Sequence, residues 1–373
     1  MRIHLVSFDV PFPANYGGVI DVFYKIKALH KAGIGIKLHC FSYGRDKNEE
    51  LEKYCERVYY YSRNTSLFTH FSSIPYIVKS RKNKELFGNL MRDNQPIIFE
   101  GLHTCGYLNH PKLANRLKIV RTHNVEHEYY SQLALNEKNS FKKKYYKLES
   151  WKLKRFEKIV HHANHILTIS KNDQHYFQTL FEHTHLVPAF HQYETVQSQE
   201  GFGMYALYHG NLAVNENEHA AIFLIEEVFS KVDFTCVIAG SGASESLKSK
   251  IAPFEHIVLR ENISDEEMQT LLLEAHVHIL PSFQQTGIKL KLLHSLFAGR
   301  FCIVNQLMIE NTGLEHFCEV TTSGTDMLQV LKNKMLEEFT EELVTYRKQL
   351  ENGDFSIALN AQKINLLLNQ KLA

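Results

Sequence analysis

The chain reads as an α/β protein made of two doubly wound parallel-sheet domains placed side by side. Three observations carry that expectation. Short apolar runs rich in β-formers alternate with longer segments of helical periodicity almost from the first residue, the pattern of a parallel sheet with crossover helices. The 373 residues exceed one ordinary core and suggest two domains of roughly 150 to 200 residues each. A polar stretch from Gln192 to Gly203 interrupts the alternation once, and the same pattern restarts beyond it. The expected domains are 1–190 and 204–350, and the last segment, 351–373, reads as a helix able to pack back on the first domain.

In the first domain, Ile3 to Phe8 is an apolar strand followed by a loop, Asp9 to Asn15, with two prolines. Tyr16, Gly17 and Gly18 lead into a helix whose apolar residues Val19, Val22, Phe23, Ile26 and Leu29 share one face until Gly33 stops it. Ile36 to Phe41 is the next strand, so the opening is a βαβ unit. The Gly17-Gly18 pair lets something approach the backbone at a helix start, and a tight turn without a ligand explains it equally well. The alternation continues with a helix near Asn48 to Cys55, strand Arg57 to Ser62, helix Lys82 to Arg92, strand Pro96 to Gly101 and a short helix near Cys105 to Asn109. Strand Lys118 to His123, helix Val125 to Leu135, a long helix from Ser140 to His162, strand His165 to Ser170, helix Asn172 to Phe181 and a short strand at Thr184 complete the domain.

The second domain opens with strand Met204 to Gly210 and helix Asn217 to Phe229. Strand Phe234 to Gly240, a helix from Ser241 to Ile251, strand His256 to Asn262 and helix Asp265 to Glu274 capped by Ser264 follow. Next come strand Val277 to Leu280, a polar loop, and a helix in which Ile288, Leu290, Leu292, Leu293, Leu296 and Phe297 recur at helical spacing up to Gly299. Strand Phe301 to Val304, short strands near Phe317 to Thr321, a helix from Asp326 to Leu350 and a last helix from Ser356 to Leu372 end the chain.

The unit from Pro281 to Arg300 organises the functional reading. A helix that starts beyond a strand's carboxyl end presents unpaired N–H groups and partial positive charge there. Lys289 and Lys291 lie in that first turn, where the helix dipole favours acids. Two cations in that position suit a strongly negative ligand, of which a diphosphate is the commonest, and two solvated surface lysines would explain the helix taken alone equally well. Two doubly wound domains side by side would place such a ligand in a cleft at the carboxyl ends of both sheets.

Bulk composition excludes other classes. Lys+Arg 42 against Asp+Glu 41 gives a net charge of +1, so no global field points to nucleic acid. The six cysteines are scattered without a CxxC pair, as expected of buried thiols in a reducing compartment. The N-terminal apolar stretch is too short for a signal peptide, and no run of about 18 apolar residues occurs. A cytoplasmic protein is expected. The 22 histidines identify no metal site by abundance alone.

With these residues in place, the chain resembles a nucleotide-sugar glycosyltransferase of the GT-B fold, two Rossmann-like domains facing across a cleft. It is most similar to the family 4 group of bacterial capsule and lipopolysaccharide transferases. The resemblance spans nearly the whole chain. It is carried by the Gly17-Gly18 loop, the long helix running into RFEKIVHHANHILTIS, the YHGNL turn at Tyr208 to Leu212, the VIAGSG turn at Val237 to Gly242, and GIKLKLLHSLFAGR. It implies transfer of a hexose from a nucleoside-diphosphate sugar on the C-terminal domain to a glycan or lipid-linked acceptor on the N-terminal one. Retention of configuration is implied, by front-face attack that needs no protein nucleophile, and no metal or cofactor beyond the nucleoside-diphosphate sugar is implied.

Departure of the diphosphate builds negative charge, so cations and N–H donors there favour the transition state over the ground state. The resemblance assigns that role to Lys289, Lys291 and the backbone of Gly287 and Ile288, with Gly210 and Asn211 as further donors and Gly240 and Gly242 lying against the nucleotide. It places His103 beside the transferred sugar, and His123, Asn124 and Glu126 with Gly17 and Gly18 on the acceptor side. Two family glutamates are replaced by Thr286 and His294, of which His294 can still hydrogen-bond a ribose hydroxyl. A basic residue common after the Gly210 turn is replaced by Asn215, Glu216 and Asn217. Those departures keep a non-catalytic nucleotide-binding protein open as a second reading.

A third reading comes from His123 to His127, which fits the H-x-x-E-H pattern of zinc peptidases but straddles a strand end and a helix start. Separately, Lys138 to Lys158 holds nine Lys and Arg against two acids, interleaved with Phe141, Tyr145, Tyr146, Trp151 and Phe156. That composition suits peripheral contact with the anionic inner face of a membrane, or a helix with a solvated basic face and aromatics packed on its own sheet. The diphosphate role makes a direct prediction: Lys289→Ala lowers turnover at least about tenfold, since one charge-assisted contact is worth roughly 1.5 to 3 kcal/mol. Steady-state kinetics with unchanged turnover would contradict it.

Overall fold

The computed structural model describes residues 1–283 and 290–370. They form two compact units, Met1–Gln192 together with the segment from Ile357 onward, and Tyr193–Ser356.

The first unit is a seven-stranded parallel sheet of β1 (Arg2–Ser7), β2 (Gly35–Ser42), β3 (Arg57–Ser62), β4 (Ile97–Glu100), β5 (Lys118–Arg121), β6 (His165–Thr168) and β7 (Thr184–Leu186). Their order is β3-β2-β1-β4-β5-β6-β7. Successive side chains on a strand point to opposite faces, and here both faces are apolar. Ile3, Leu5, Ile98, Ile119 and Leu167 enter one core with Val22, Ile26 and Leu29 of the helix Gly17–Lys31. Their neighbours Val6, Ile97, Phe99, Val120 and Ile166 enter the other with Phe177. Coverage on both faces is what a parallel sheet requires. The last helix, Ile357–Leu368, adds Ile357, Ala361, Ile364 and Leu368 to the first of these cores.

The second unit is a six-stranded parallel sheet of β8 (Ala206–His209), β9 (Cys236–Gly240), β10 (Ile257–Glu261), β11 (Val277–Leu280), β12 (Phe301–Asn305) and β13 (Glu319–Thr321). The order β10-β9-β8-β11-β12-β13 is again doubly wound. In each unit the chain winds outward in both directions from one gap, between β1 and β4 in the first and between β8 and β11 in the second. Open parallel sheets bind ligands outside the strand carboxyl ends at such a switch point.

Several expected helices are shorter or tighter than their periodicity suggests. The span from Asp326 to Leu350 divides into helices Gly324–Lys334 and Glu341–Arg347 and a 3-10 turn, Lys348–Asn352. Phe339 breaks it by burying its ring while its carbonyl accepts from Gly201 N at 2.9 Å, and the Thr340 side chain caps the restart by accepting from Leu343 N. The long helix ends at Phe156 and tightens into a 3-10 turn, Glu157–His162. The expected helices near residues 48–55 and 105–109 are 3-10 turns, Glu49–Lys53 and Leu102–Tyr107. The expected helix from Ser241 starts at Glu245, with Ser244 as its cap, because the preceding residues form the turn after β9.

That turn packs backbone on backbone. A Cβ on Gly240 would lie 1.8 Å from the carbonyl oxygen of Gly210, and one on Gly242 would lie 2.7 Å from Ala213 Cβ. Gly240 therefore admits the turn after β8 rather than only closing its own. Gly240→Ala is expected to cost at least about 2 kcal/mol of stability, read as a lower denaturation midpoint in urea; a midpoint equal to the parent's would contradict this packing.

Candidate functional site

At the first switch point, the loop after β1 is held by arginines. Arg81 donates from Nε to the Phe8 carbonyl at 2.7 Å and from Nη1 to that of Ile77 at 2.8 Å. Arg45 donates to the Val10 carbonyl and to Asn15 Oδ1, both at 2.8 Å, and to the carbonyl of Pro13. The loop so fixed directs the Phe8 ring between two imidazoles, 5.4 Å from His103 and edge-on to His123 at 5.2 Å. A Cβ on Gly18 would stand 2.8 Å from the Phe8 ring. The close approach at Gly18 is thus made by the chain's own aromatic ring, with Gly17 beginning the helix beside it.

His103 lies on the 3-10 turn just past β4, and its Nδ1 is 3.8 Å from Glu126 Oε1 at the start of helix Glu126–Asn136. Burial, then the charges of Arg81, His123 and Arg63, hold His103 well below the usual imidazole range. Burial and the nearby Glu157 carboxylate push Glu126 up to about 8, against Arg81. At neutral pH the pair is therefore uncharged, an imidazole beside a carboxylic acid. Asn124 is half-buried between His123 and Glu126. Among the described residues, His103 Nδ1, His123 Nδ1 and Glu100 Oε1 are buried side-chain atoms that make no hydrogen bond.

Beneath them lies a charge cluster that sequence reasoning missed. Asp21, Lys25, Glu100 and Arg121 are all 0 % exposed. Lys25 Nζ donates to Asp21 Oδ2 at 3.0 Å and to Glu100 Oε2 at 2.9 Å. Arg121 donates to both Asp21 oxygens, at 3.2 and 2.8 Å, and to the carbonyl of Pro188 at 3.0 Å. Although burial alone would raise it, Arg121 and then Lys25 hold the Asp21 carboxyl far below the usual range. His123 Nε2 sits 3.1 Å from Glu100 Oε2, so the cluster orients the imidazole. The signal was present in the sequence: Asp21 and Lys25 fall among the apolar positions of the first helix, and Glu100 and Arg121 end buried strands.

Asp21, Glu100 and His123 bring one ligand atom each to within 4.8 Å of one another, a spacing that suits a cation. The charge does not suit it. Two carboxylates are already balanced by an ammonium and a guanidinium in direct contact, and a divalent ion would meet both at close range in low dielectric. The H-x-x-E-H reading fails on geometry as well. His123 is bound to Glu100, while His127 Nδ1 is 2.9 Å from Glu157, so the two rings serve different carboxylates.

At the second switch point, β8 ends in His209 and turns through Gly210 and Asn211. The Asn217 side chain donates to the Asn211 carbonyl at 3.0 Å, and its Oδ1 accepts from Lys291 Nζ at 3.1 Å. The ammonium also lies 5.3 Å from the centre of the Tyr208 ring. Lys291 thus reaches the turn after β8 from a different helix, Leu290–Ala298. Asn217, one of the residues standing where a basic side chain was expected, receives it. His294 lies one turn further along that helix, its ring parallel to His209 at 6.5 Å between centroids. Thr286, Gly287, Ile288 and Lys289 lie outside the described residues. Gly240 and Gly242, expected against a nucleotide, have the Gly210 carbonyl and Ala213 in the space their side chains would fill.

His209 Nε2 is 3.1 Å from Ser295 Oγ, which is 2.9 Å from His278 Nδ1. Burial pulls His278 down to about 3 and His209 well below the usual range, so both are neutral hydrogen-bonding groups tying the helix to β8 and β11. Among the described residues no helix is long and apolar enough to cross a membrane.

Two doubly wound parallel sheets, each with its polar residues gathered at the switch point, define the GT-B class. Solved structures share this architecture over nearly the whole chain: sucrose-phosphate synthase from Thermosynechococcus elongatus (TM-score 0.67, 13% identity, 98% of each chain) and the lipopolysaccharide outer core galactosyltransferase WaaB (TM-score 0.65, 12% identity, 100% of each chain). HepE of Anabaena, solved with UDP and glucose, aligns with TM-score 0.67 at 11% identity over 99% of each chain. Residues 203–346 match the family model of glycosyl transferases group 1. An uncharacterized 44.6 kDa protein of the Klebsiella pneumoniae cps region is 28% identical over 96% of this chain and 94% of its own length. The chain has the GT-B fold and its residues 203–346 match glycosyl transferases group 1, as the sequence resemblance implied.

The buried acid at Glu126 makes a pH prediction. The folded chain keeps that proton up to about pH 8, whereas an unfolded glutamate releases it near about pH 4.3. Folding stability therefore falls as pH rises through that window, by up to about 1.4 kcal/mol per unit. Glu126→Gln is expected to flatten this decline and to be more stable than the parent at pH 8, with little difference at pH 4. Parallel stability profiles for the two proteins would contradict the assignment.

Proposed function

We propose that this chain transfers a hexose from a nucleoside-diphosphate sugar to a glycan or lipid-linked acceptor in the synthesis of a surface polysaccharide. The reading is supported by the group 1 transferase match in the C-terminal unit, by the cps-region relative, and by structural neighbours named for lipopolysaccharide assembly or solved with UDP and glucose. The observation that carries it is the ammonium of Lys291 held at the second switch point, beside the Gly210–Asn211 turn.

In this reading the donor diphosphate takes over the ammonium that Asn217 receives, and Lys289 adds a second cation. As the anomeric C–O bond breaks, charge grows on the departing phosphate oxygen, and a cation already in place stabilises that change without reorganising. His294 hydrogen-bonds the ribose. On the N-terminal unit, neutral His103 binds a sugar hydroxyl, and Glu126, still protonated, donates a hydrogen bond to the acceptor. The departing phosphate accepts the acceptor hydroxyl's proton in a front-face attack, so the product retains its configuration and neither protein nucleophile nor metal is required.

Hydrolysis of UDP-, GDP- and ADP-sugars by the purified chain tests this. One nucleotide series is expected to turn over, with Lys291→Met lowering kcat/KM at least about tenfold through loss of a charge-assisted contact worth roughly 1.5 to 3 kcal/mol. Calorimetric binding of a nucleoside diphosphate without turnover of any sugar would favour the non-catalytic reading that Thr286 and His294 keep open.

A further inference from the structure

The helix Ser140–Phe156 divides its aromatics between two faces. Tyr145, Tyr146 and Phe156 turn inward with buried Glu149, Lys152 and Leu153, whereas Phe141 is 83 % and Trp151 56 % exposed. Phe141, Lys144, Leu148, Trp151 and Arg155 follow one another at alternating intervals of three and four residues, so they form one continuous stripe along the helix. All five are exposed, and the Arg155 guanidinium lies 4.8 Å from the centre of the Trp151 ring. Lys147 and Lys154 flank the stripe on its solvent side.

A second element meets the same flank. The 3-10 turn Leu67–Phe71 is anchored to the helix through His70, whose carbonyl accepts from Lys152 Nζ at 3.0 Å and whose ring lies 5.7 Å from Tyr145. Tyr145 sits one helical turn from Phe141 and Leu148, and Lys152 one turn from Leu148 and Arg155, so the 3-10 turn borders the stripe. Anchored there, it leaves Phe68 and Phe71 each 86 % exposed and Leu67 78 % exposed. Six large apolar side chains from two elements thus share one exposed surface rimmed by lysine and arginine.

We infer that this surface, the Leu67–Phe71 turn with the Phe141–Arg155 stripe, docks the protein on an anionic lipid bilayer, the aromatics entering the interface and the cations meeting lipid phosphates. Isolated exposed apolar residues are ordinary, but a contiguous patch of this kind marks an interaction site. Basic residues around aromatics match a bilayer that is anionic at its surface and apolar beneath. An acidic polymer in water would be met by the cations alone and would leave the phenylalanines exposed. The inference rests on exposure and charge and does not depend on the sugar-transfer reading.

Trp151 is the only tryptophan of the chain, so its fluorescence reports this surface alone. With vesicles of phosphatidylcholine and phosphatidylglycerol, the full-length protein is expected to co-sediment and its emission to shift to shorter wavelength; vesicles of phosphatidylcholine alone should do much less. The double variants Phe68→Ser/Phe71→Ser and Lys144→Glu/Arg155→Glu should each weaken vesicle affinity at least tenfold, with circular dichroism and donor hydrolysis unchanged. Absence of binding to anionic vesicles overturns the proposal. So does binding without a spectral shift that heparin competes away and the phenylalanine variant retains, which would make the surface a site for acidic polymers.

Discussion

Four charges without access to solvent, on Asp21, Lys25, Glu100 and Arg121, fix the carboxyl edge of the N-terminal sheet. They join the first helix to β4, to β5 and, through the Phe190 N–H on Asp21 and the Pro188 carbonyl on Arg121, to the segment that ends the unit's main run. Such networks seldom stabilise a fold more than apolar residues of the same volume would, yet loss of one member leaves an uncompensated charge that costs about 3–5 kcal/mol. Their contribution is therefore positional. The carboxylate of Glu100 turns His123 toward Phe8 and His103, and the same balance of charge makes the Asp21–Glu100–His123 group an ion-pair network rather than a metal centre.

The two switch points solve opposite electrostatic problems. In the N-terminal unit burial removes charge from His103 and Glu126, which lie beside the ion-pair network of Asp21, Lys25, Glu100 and Arg121. In the C-terminal unit a positive charge is kept and placed. Lys291 crosses from its own helix to the turn after β8, where its ammonium donates to the Asn217 carboxamide and lies over the Tyr208 ring. An uncharged, hydrogen-bonding surface suits sugar hydroxyls, and a retained cation suits a departing diphosphate.

Much of the architecture was legible in the sequence because parallel sheets buried on both faces produce short uniform apolar runs, and β1, β4, β9 and β11 each appear as one. The crossover pattern then leaves few topologies. Helix ends were read less well, because Phe339 and Thr340 are a core residue and a cap whose roles depend on the sheet they pack against. Gly210, Asn211, His103 and His123, which the family resemblance singled out, lie just past strand ends at the two switch points. The buried charges were not, since a helical Asp21–Lys25 pair four residues apart looks the same in sequence whether it is solvated or sealed in a core. Asn217 stood in the sequence where a basic residue was expected, and its hydrogen bond from Lys291, a cation on another helix, could not be read there.

The proposed role of the Lys291 ammonium beside the Gly210–Asn211 turn is to hold the diphosphate of a sugar donor. A crystal structure of the chain with a bound nucleoside diphosphate tests it most directly. The expected result is a phosphate oxygen within hydrogen-bonding distance of Lys291 Nζ, with the nucleotide at the carboxyl ends of β8 and β11. A nucleotide bound elsewhere, with Lys291 still donating to Asn217, would contradict it.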